Sequence, residues 1–224
     1  MADNRTIRDP YEIRPIRGIG DFTYIAAMAR YMLGVTDAQG WPAVDELRAV
    51  TGEDPLYYNG SWDRIAHMLS EGVRFTEIDA LDVDALRARR QAYREELDGG
   101  WTPERRAHWT DERIDRTIAN YAKFTGAWQS LPAELRNNYT RRQRRPTIQD
   151  LIDLLEAGSL VAVTLEPEQE RNYGPYVLFY GVDRDTLLGY WPARQAGTLT
   201  RMPLAEVERD WPQQFLLAMD RPQN

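Results

Sequence analysis

The chain has 224 residues, a net charge of -7 and 42% hydrophobic residues. That is enough apolar material for a sizeable core, and the acidic balance argues against general binding of nucleic-acid phosphates. The absence of cysteine excludes disulfides, thiolate metal sites and thiol nucleophiles, and with only His67 and His108 a multi-histidine metal site is excluded too.

Carboxylates could still hold a hard cation, but no EF-hand-like spacing occurs, and no cofactor is expected. No apolar run approaches the ~20 residues of a membrane span. The polar start, Met1-Ala2-Asp3-Asn4-Arg5, lacks a signal-like apolar stretch. A cytoplasmic protein with no membrane and no nucleic-acid partner is expected.

Residues 1–20 read as irregular, broken by Pro10, Pro15, Gly18 and Gly20. Gly18-Ile19-Gly20 is no phosphate loop, since no strand precedes it and no lysine follows. From Asp21, apolar residues Phe22, Ile25, Ala26, Ala29, Met32 and Leu33 recur at helical spacing, and Gly34 is a natural stop. The opposite face carries Tyr24, Met28 and Tyr31, and a helix apolar nearly all round is a buried one.

A short helix is expected from Pro42 to Val50. Another, capped by Ser61, would carry Trp62, Ile65, Ala66 and Leu69, with His67 off its apolar stripe and exposed. Val73 to Ile78 reads as a strand. Residues 83–145 are dense in arginine and glutamate and predict two to four helices. Within them Arg136, Arg141, Arg142, Arg144 and Arg145 form the one basic cluster, read as a solvated helix end or loop. Thr147 should cap a helix bearing Ile148, Leu151, Ile152 and Leu155, followed by a strand over Ser159 to Leu165. Glu166, Glu168 and Glu170 then read as a loop. The last stretch predicts strands over 174–182, 185–191, 197–202 and 213–219, with a helix after Pro203. Helices first and strands later imply an α+β fold.

Two segments carry a resemblance. Asp21-Phe22-Thr23-Tyr24-Ile25-Ala26-Ala27-Met28-Ala29-Arg30-Tyr31-Met32-Leu33-Gly34 is similar to the buried alanine-rich helix that opens papain-like peptidases of the bacteriocin-processing (C39-like) type. Gly174-Pro175-Tyr176-Val177-Leu178-Phe179-Tyr180-Gly181-Val182-Asp183 resembles the strand that bears that family's histidine. The resemblance covers residues 11–78 and 147–219. It implies one C39-like domain over 1–224, with 83–145 as a helical insertion or cap and a buried N-terminal helix packed on a C-terminal antiparallel sheet.

The chemical groups are missing from the matching positions. Asp21 stands where the family has its cysteine, Pro175 where it has its histidine and Trp191 where it has the orienting aspartate, while Arg14 or Pro15 replaces the oxyanion-hole glutamine. Thiol acyl transfer needs a thiolate, a base and an orienter, so a cysteine peptidase is excluded.

The expectation is therefore a pseudoenzyme whose former cleft binds a peptide, a protein segment or a small molecule. Asp21, Tyr24, Tyr173, Tyr176 and Trp191 are the candidate ligand contacts, with Tyr57, Tyr58 and Trp62 as further aromatics that could line the cleft. The plainer reading of Asp21 is a helix N-cap. The alternatives are a repurposed biosynthetic enzyme using Asp21, Tyr24, Tyr173, Tyr176 and Glu166, or a structural partner that binds another protein through 83–145.

Overall fold

The computed structural model describes residues 7–13, 21–51, 59–80, 87–88, 90, 110–112, 115, 118–119, 131–165, 176–192, 198–211, 213 and 215–222. The chain forms two compact units, Met1–Ala80 with Pro132–Asn224, and Leu81–Leu131. The described residues of the second unit are largely helical, and Arg90 pairs with Asp115 within it.

The first unit opens with α1 (Asp21–Met32), α2 (Trp41–Thr51) and α3 (Asn59–Ser70), followed by β1 (Arg74–Asp79). After the second unit come α4 (Ala133–Arg136), β2 (Tyr139–Gln143), α5 (Ile148–Glu156), β3 (Leu160–Thr164), β4 (Tyr176–Asp183), β5 (Thr186–Tyr190), β6 (Leu199–Pro203), α6 (Leu204–Asp210) and β7 (Phe215–Asp220). The architecture is α+β.

Local chemistry explains these elements. Tyr24, Ile25, Ala26, Ala27, Met28, Ala29 and Met32 of α1 are all fully buried, so the helix is apolar all round because it is surrounded. Its three alanines let α2, α3 and β4 pack closely. Gly34 takes a φ of 74°, a left-handed conformation that ends the helix without a Cβ clash. The start of α5 is a capping box: the Asp150 N–H donates to the Thr147 hydroxyl at 3.2 Å, and the Thr147 N–H donates to the Asp150 carboxylate at 2.8 Å.

The strands form one seven-stranded sheet in the order β2-β1-β7-β3-β4-β5-β6. All pairs are antiparallel except β1 with β2. In β3, the central strand, Leu160, Val161, Ala162 and Val163 are all buried, because the sheet is covered on both faces. One face packs α5 and α6 in a cluster of Leu151, Leu155, Val161, Val163, Val177, Phe179, Leu187, Trp191, Val207 and Trp211. The other receives α1 and α3. Gly189 is required by close approach, since a Cβ there would stand 3.0 Å from the Phe179 ring.

Two expectations are corrected. The stretch 83–145 is not helical throughout. Its arginine-rich end, 139–143, is strand β2, added parallel to β1. Alternation explains this: Tyr139 and Arg141 turn toward the sheet's α1 face while Thr140 and Arg142 are exposed. The sheet is therefore mixed rather than purely antiparallel, and it draws two strands from before residue 147.

Candidate functional site

The two segments that the resemblance pairs, the first turn of α1 and the start of β4, are adjacent. Phe22 and Tyr176 meet edge to face with ring centroids 5.3 Å apart. Tyr176 in turn meets Phe215 of β7 at 6.3 Å. Phe22 is buried, whereas Tyr176 and Phe215 are half-buried and keep some surface toward solvent. Three aromatic rings thus occupy the junction of helix and sheet.

Pairing register extends this junction across the sheet. Asp79 lies opposite Phe215 and beside Gln143, and Thr164 lies opposite Tyr176. Gln143, Asp79, Phe215, Thr164 and Tyr176 therefore form one row at the strand ends, running over β2, β1, β7, β3 and β4. Each member is partly or fully exposed. Four strand spacings of ~4.8 Å make the row ~19 Å long, the reach of about six extended residues.

The residues chosen from sequence fall in different places. Asp21 is the first residue of α1, and its side chain lies outside the described set. Arg14, Pro15, Tyr57, Tyr58, His108, Glu166, Glu168, Glu170, Tyr173 and Pro175 also lie outside the described residues. Tyr176 lies in the aromatic junction. Tyr24 does not: it is only 1% exposed and packs edge to face on Trp41, joining α1 to α2. Trp191 does not either. It is buried with Val177 and Phe179 on the face covered by α5 and α6. Strand alternation gives the reason: the residue that turns toward α1 is Tyr190, paired with Leu178 and fully buried, so its neighbour Trp191 must turn away. Trp62 is likewise core, packed on Tyr139.

Sequence reasoning missed two buried ionic clusters. Arg30, in the middle of the apolar α1 run, donates to Glu71 at 2.8 Å and to Glu46 at 3.1 Å, tying α1 to α2 and to the end of α3. Burial works to lower the pKa of this guanidinium, but its hydrogen bonds to Glu71 and Glu46 raise it above its ordinary value. His67 stands 3.4 Å from Glu71 and is half-buried, not exposed as its helical position suggests.

The second cluster is on the α1 face at the outer strands. Glu77 is buried; Tyr139 donates its hydroxyl to it, Arg141 stands 3.1 Å away, and Arg141 also donates to Asp79 at 3.0 Å. Burial pushes the Glu77 carboxyl up, Arg141 pulls it down and Asp79 pushes it up again, leaving it at about 8. The only sequence signal for it was a glutamate at an inward position of an apolar strand. Among the described residues no histidine, aspartate and glutamate group could hold a metal ion, and no helix is long and apolar enough to cross a membrane.

No protein-family model and no curated protein matches the chain. Among solved structures, the chain is similar to the peptidase domain of Streptococcus ComA, a bi-functional ABC transporter involved in a quorum-sensing pathway. The identity is 10% and the TM-score 0.45, over 95% of this chain and 99% of that one.

Proposed function

We propose that this chain is a C39-like domain without peptidase chemistry, which binds an extended peptide or protein segment along the row from Tyr176 to Gln143. The observation that carries the reading is the Phe22–Tyr176 contact. It joins the two segments that would meet in a peptidase of this type, and it joins them through aromatic rings. Acyl transfer has no thiol to start from, because the chain contains no cysteine.

The row suits an extended ligand on three counts. Its length matches about six residues of strand. Tyr176 and Phe215 offer aromatic surface at low entropy cost. Thr164 and Gln143 offer polar groups that can take up the hydrogen bonds of a peptide backbone. The enzyme reading has less support: of its candidate groups, Tyr24 is buried between helices, and the carboxyl–phenol contact of Glu77 with Tyr139 is held inside a structural cluster.

The test is a titration with a pool of short unstructured peptides, followed by intrinsic fluorescence. Saturable binding is expected, weakened about tenfold or more by Tyr176→Ala, the size of effect that removal of an aromatic anchor produces. Absence of saturable binding, or binding indifferent to Tyr176→Ala, overturns the reading.

A further inference from the structure

Between Glu134 and Asp150 the chain carries five arginines and no acidic residue, although its net charge is -7. The structure sorts these arginines. Arg136 belongs to α4, before β2. Arg141 faces Glu77 and Asp79. Arg144 is held by Asp150 in two hydrogen bonds, at 2.7 and 2.6 Å. Arg142 and Arg145 are exposed and, among the described residues, make no ion pair. They flank the β2 end of the row. Arg142 precedes Gln143 by one residue and Arg145 follows it by two, which puts both Cα atoms within ~8 Å of the Gln143 Cα. Resting on the peptide-binding reading above, we infer that the ligand of the row is acidic at the end that lies over β2, where Arg142 and Arg145 receive its carboxylates.

The corner that presents these two cations has a fixed backbone. The Arg144 N–H donates to the Arg142 carbonyl at 3.2 Å. The Arg144 guanidinium donates to the Arg145 carbonyl at 3.2 Å as well as to Asp150. Pro146 is buried, and Thr147 opens α5 through its capping box. Arg144 thus spends its charge on holding the turn, and its neighbours on either side keep theirs for solvent or a partner. Less entropy is lost when a cation on ordered backbone pairs than when the backbone must also be ordered. A guanidinium group meets a carboxylate through two parallel N–H donors, which suits aspartate and glutamate side chains.

The row therefore asks for different chemistry along its length. Tyr176 and Phe215 offer aromatic surface, with ring centroids 6.3 Å apart, and two guanidinium groups flank Gln143 at the far end. An extended segment with an aromatic or aliphatic residue at one end and acidic residues about four to six positions away matches both. Nucleic acid fits less well, because the chain as a whole is acidic and repels a polyanion beyond this corner.

The experiment uses the whole chain and labelled peptides of about ten residues in matched sets. Each peptide carries a tyrosine near one end and a pair of glutamates near the other, in both orders, with twins in which glutamine or lysine replaces glutamate. Affinity is read by fluorescence anisotropy at low and high ionic strength. The glutamate peptide should bind about three- to tenfold tighter than its glutamine twin at low ionic strength, with the lysine twin weakest, and the advantage should shrink as salt is added. In the variant carrying Arg142→Gln and Arg145→Gln, both at exposed positions, the advantage should fall below about twofold. Equal binding of the glutamate and glutamine twins, both weakened by Tyr176→Ala, overturns the acidic requirement and leaves the peptide reading standing. An advantage that survives in the double variant overturns the assignment to Arg142 and Arg145. A single-stranded oligonucleotide that displaces the glutamate peptide from the wild type overturns the choice of a peptide partner. Absence of saturable binding by any of the peptides overturns both readings.

Discussion

Two ionic clusters in the first unit each set one arginine against two carboxylates, and they differ in which member is buried. Around Arg30, the partner side chains Glu46 and Glu71 are 44% and 20% exposed. Around Arg141, Glu77 and Asp79 are 7% and 15% exposed. In the first cluster the cation is the buried member, at 3% exposure, and water solvates the surplus negative charge. In the second the surplus carboxyl is itself buried, and burial pushes the Glu77 carboxyl up to about 8. Formal charge counts are thus poor guides to electrostatics; which partner loses its water decides whether a cluster is a fixed brace or a titrating one.

The largest test of this contrast is Arg30→Met. It leaves Glu71 and Glu46 facing an apolar helix, and removal of one partner from such a brace should cost about 3 kcal/mol by denaturant unfolding. A loss below about 1 kcal/mol would show the three helices to be held by packing alone.

Arg141→Met is expected to be milder, about 2 kcal/mol near neutral pH, since water reaches Arg141 and Glu77 is already uncharged there. Its loss should grow as the pH rises, when both carboxylates ionise with no cation between them. A loss that shrinks with rising pH would reverse the assignment of charge within the cluster.

The smallest expected effect comes from an exposed pair that sharpens the contrast from outside. Arg144 donates to Asp150 at 2.7 and 2.6 Å, and this holds the Asp150 carboxyl well below the usual carboxylate range. Its pH dependence has the opposite sign to that of Glu77. The contribution is present above the ordinary carboxylate pKa and is lost as the pH falls through the depressed value. Thr147→Ala, which removes the cap on the same carboxylate, should cost about 1 kcal/mol near neutral pH. The deficit should narrow in strong acid, where Asp150 is protonated in both proteins.

Much of the fold was legible because its signals are local. The apolar spacing from Phe22 to Leu33, the Thr147 cap and the apolar run after Gly174 each specify an element within a dozen or so residues. The site was less legible. Tyr176 could be picked out, but Phe215 could not, because it reaches Tyr176 only through the position of β7 between β1 and β3. Trp191 was assigned to the cleft on motif position, and a single step of strand alternation put it on the opposite face. Arg136 to Arg145 looked like a solvated basic run, and parallel pairing with β1 drew Arg141 into an acidic site.

By itself the amino-acid sequence determined that no thiol chemistry can occur, since an element lacking from the composition cannot be supplied by folding. It also determined where most of the described helices and strands form, because capping and periodicity act between near neighbours. Only the tertiary structure decided that Phe22 meets Tyr176, and that Glu77 must share Arg141 with Asp79. Such meetings join residues far apart in the chain, and the sheet order that creates them is fixed by the burial of whole faces rather than by any local pattern.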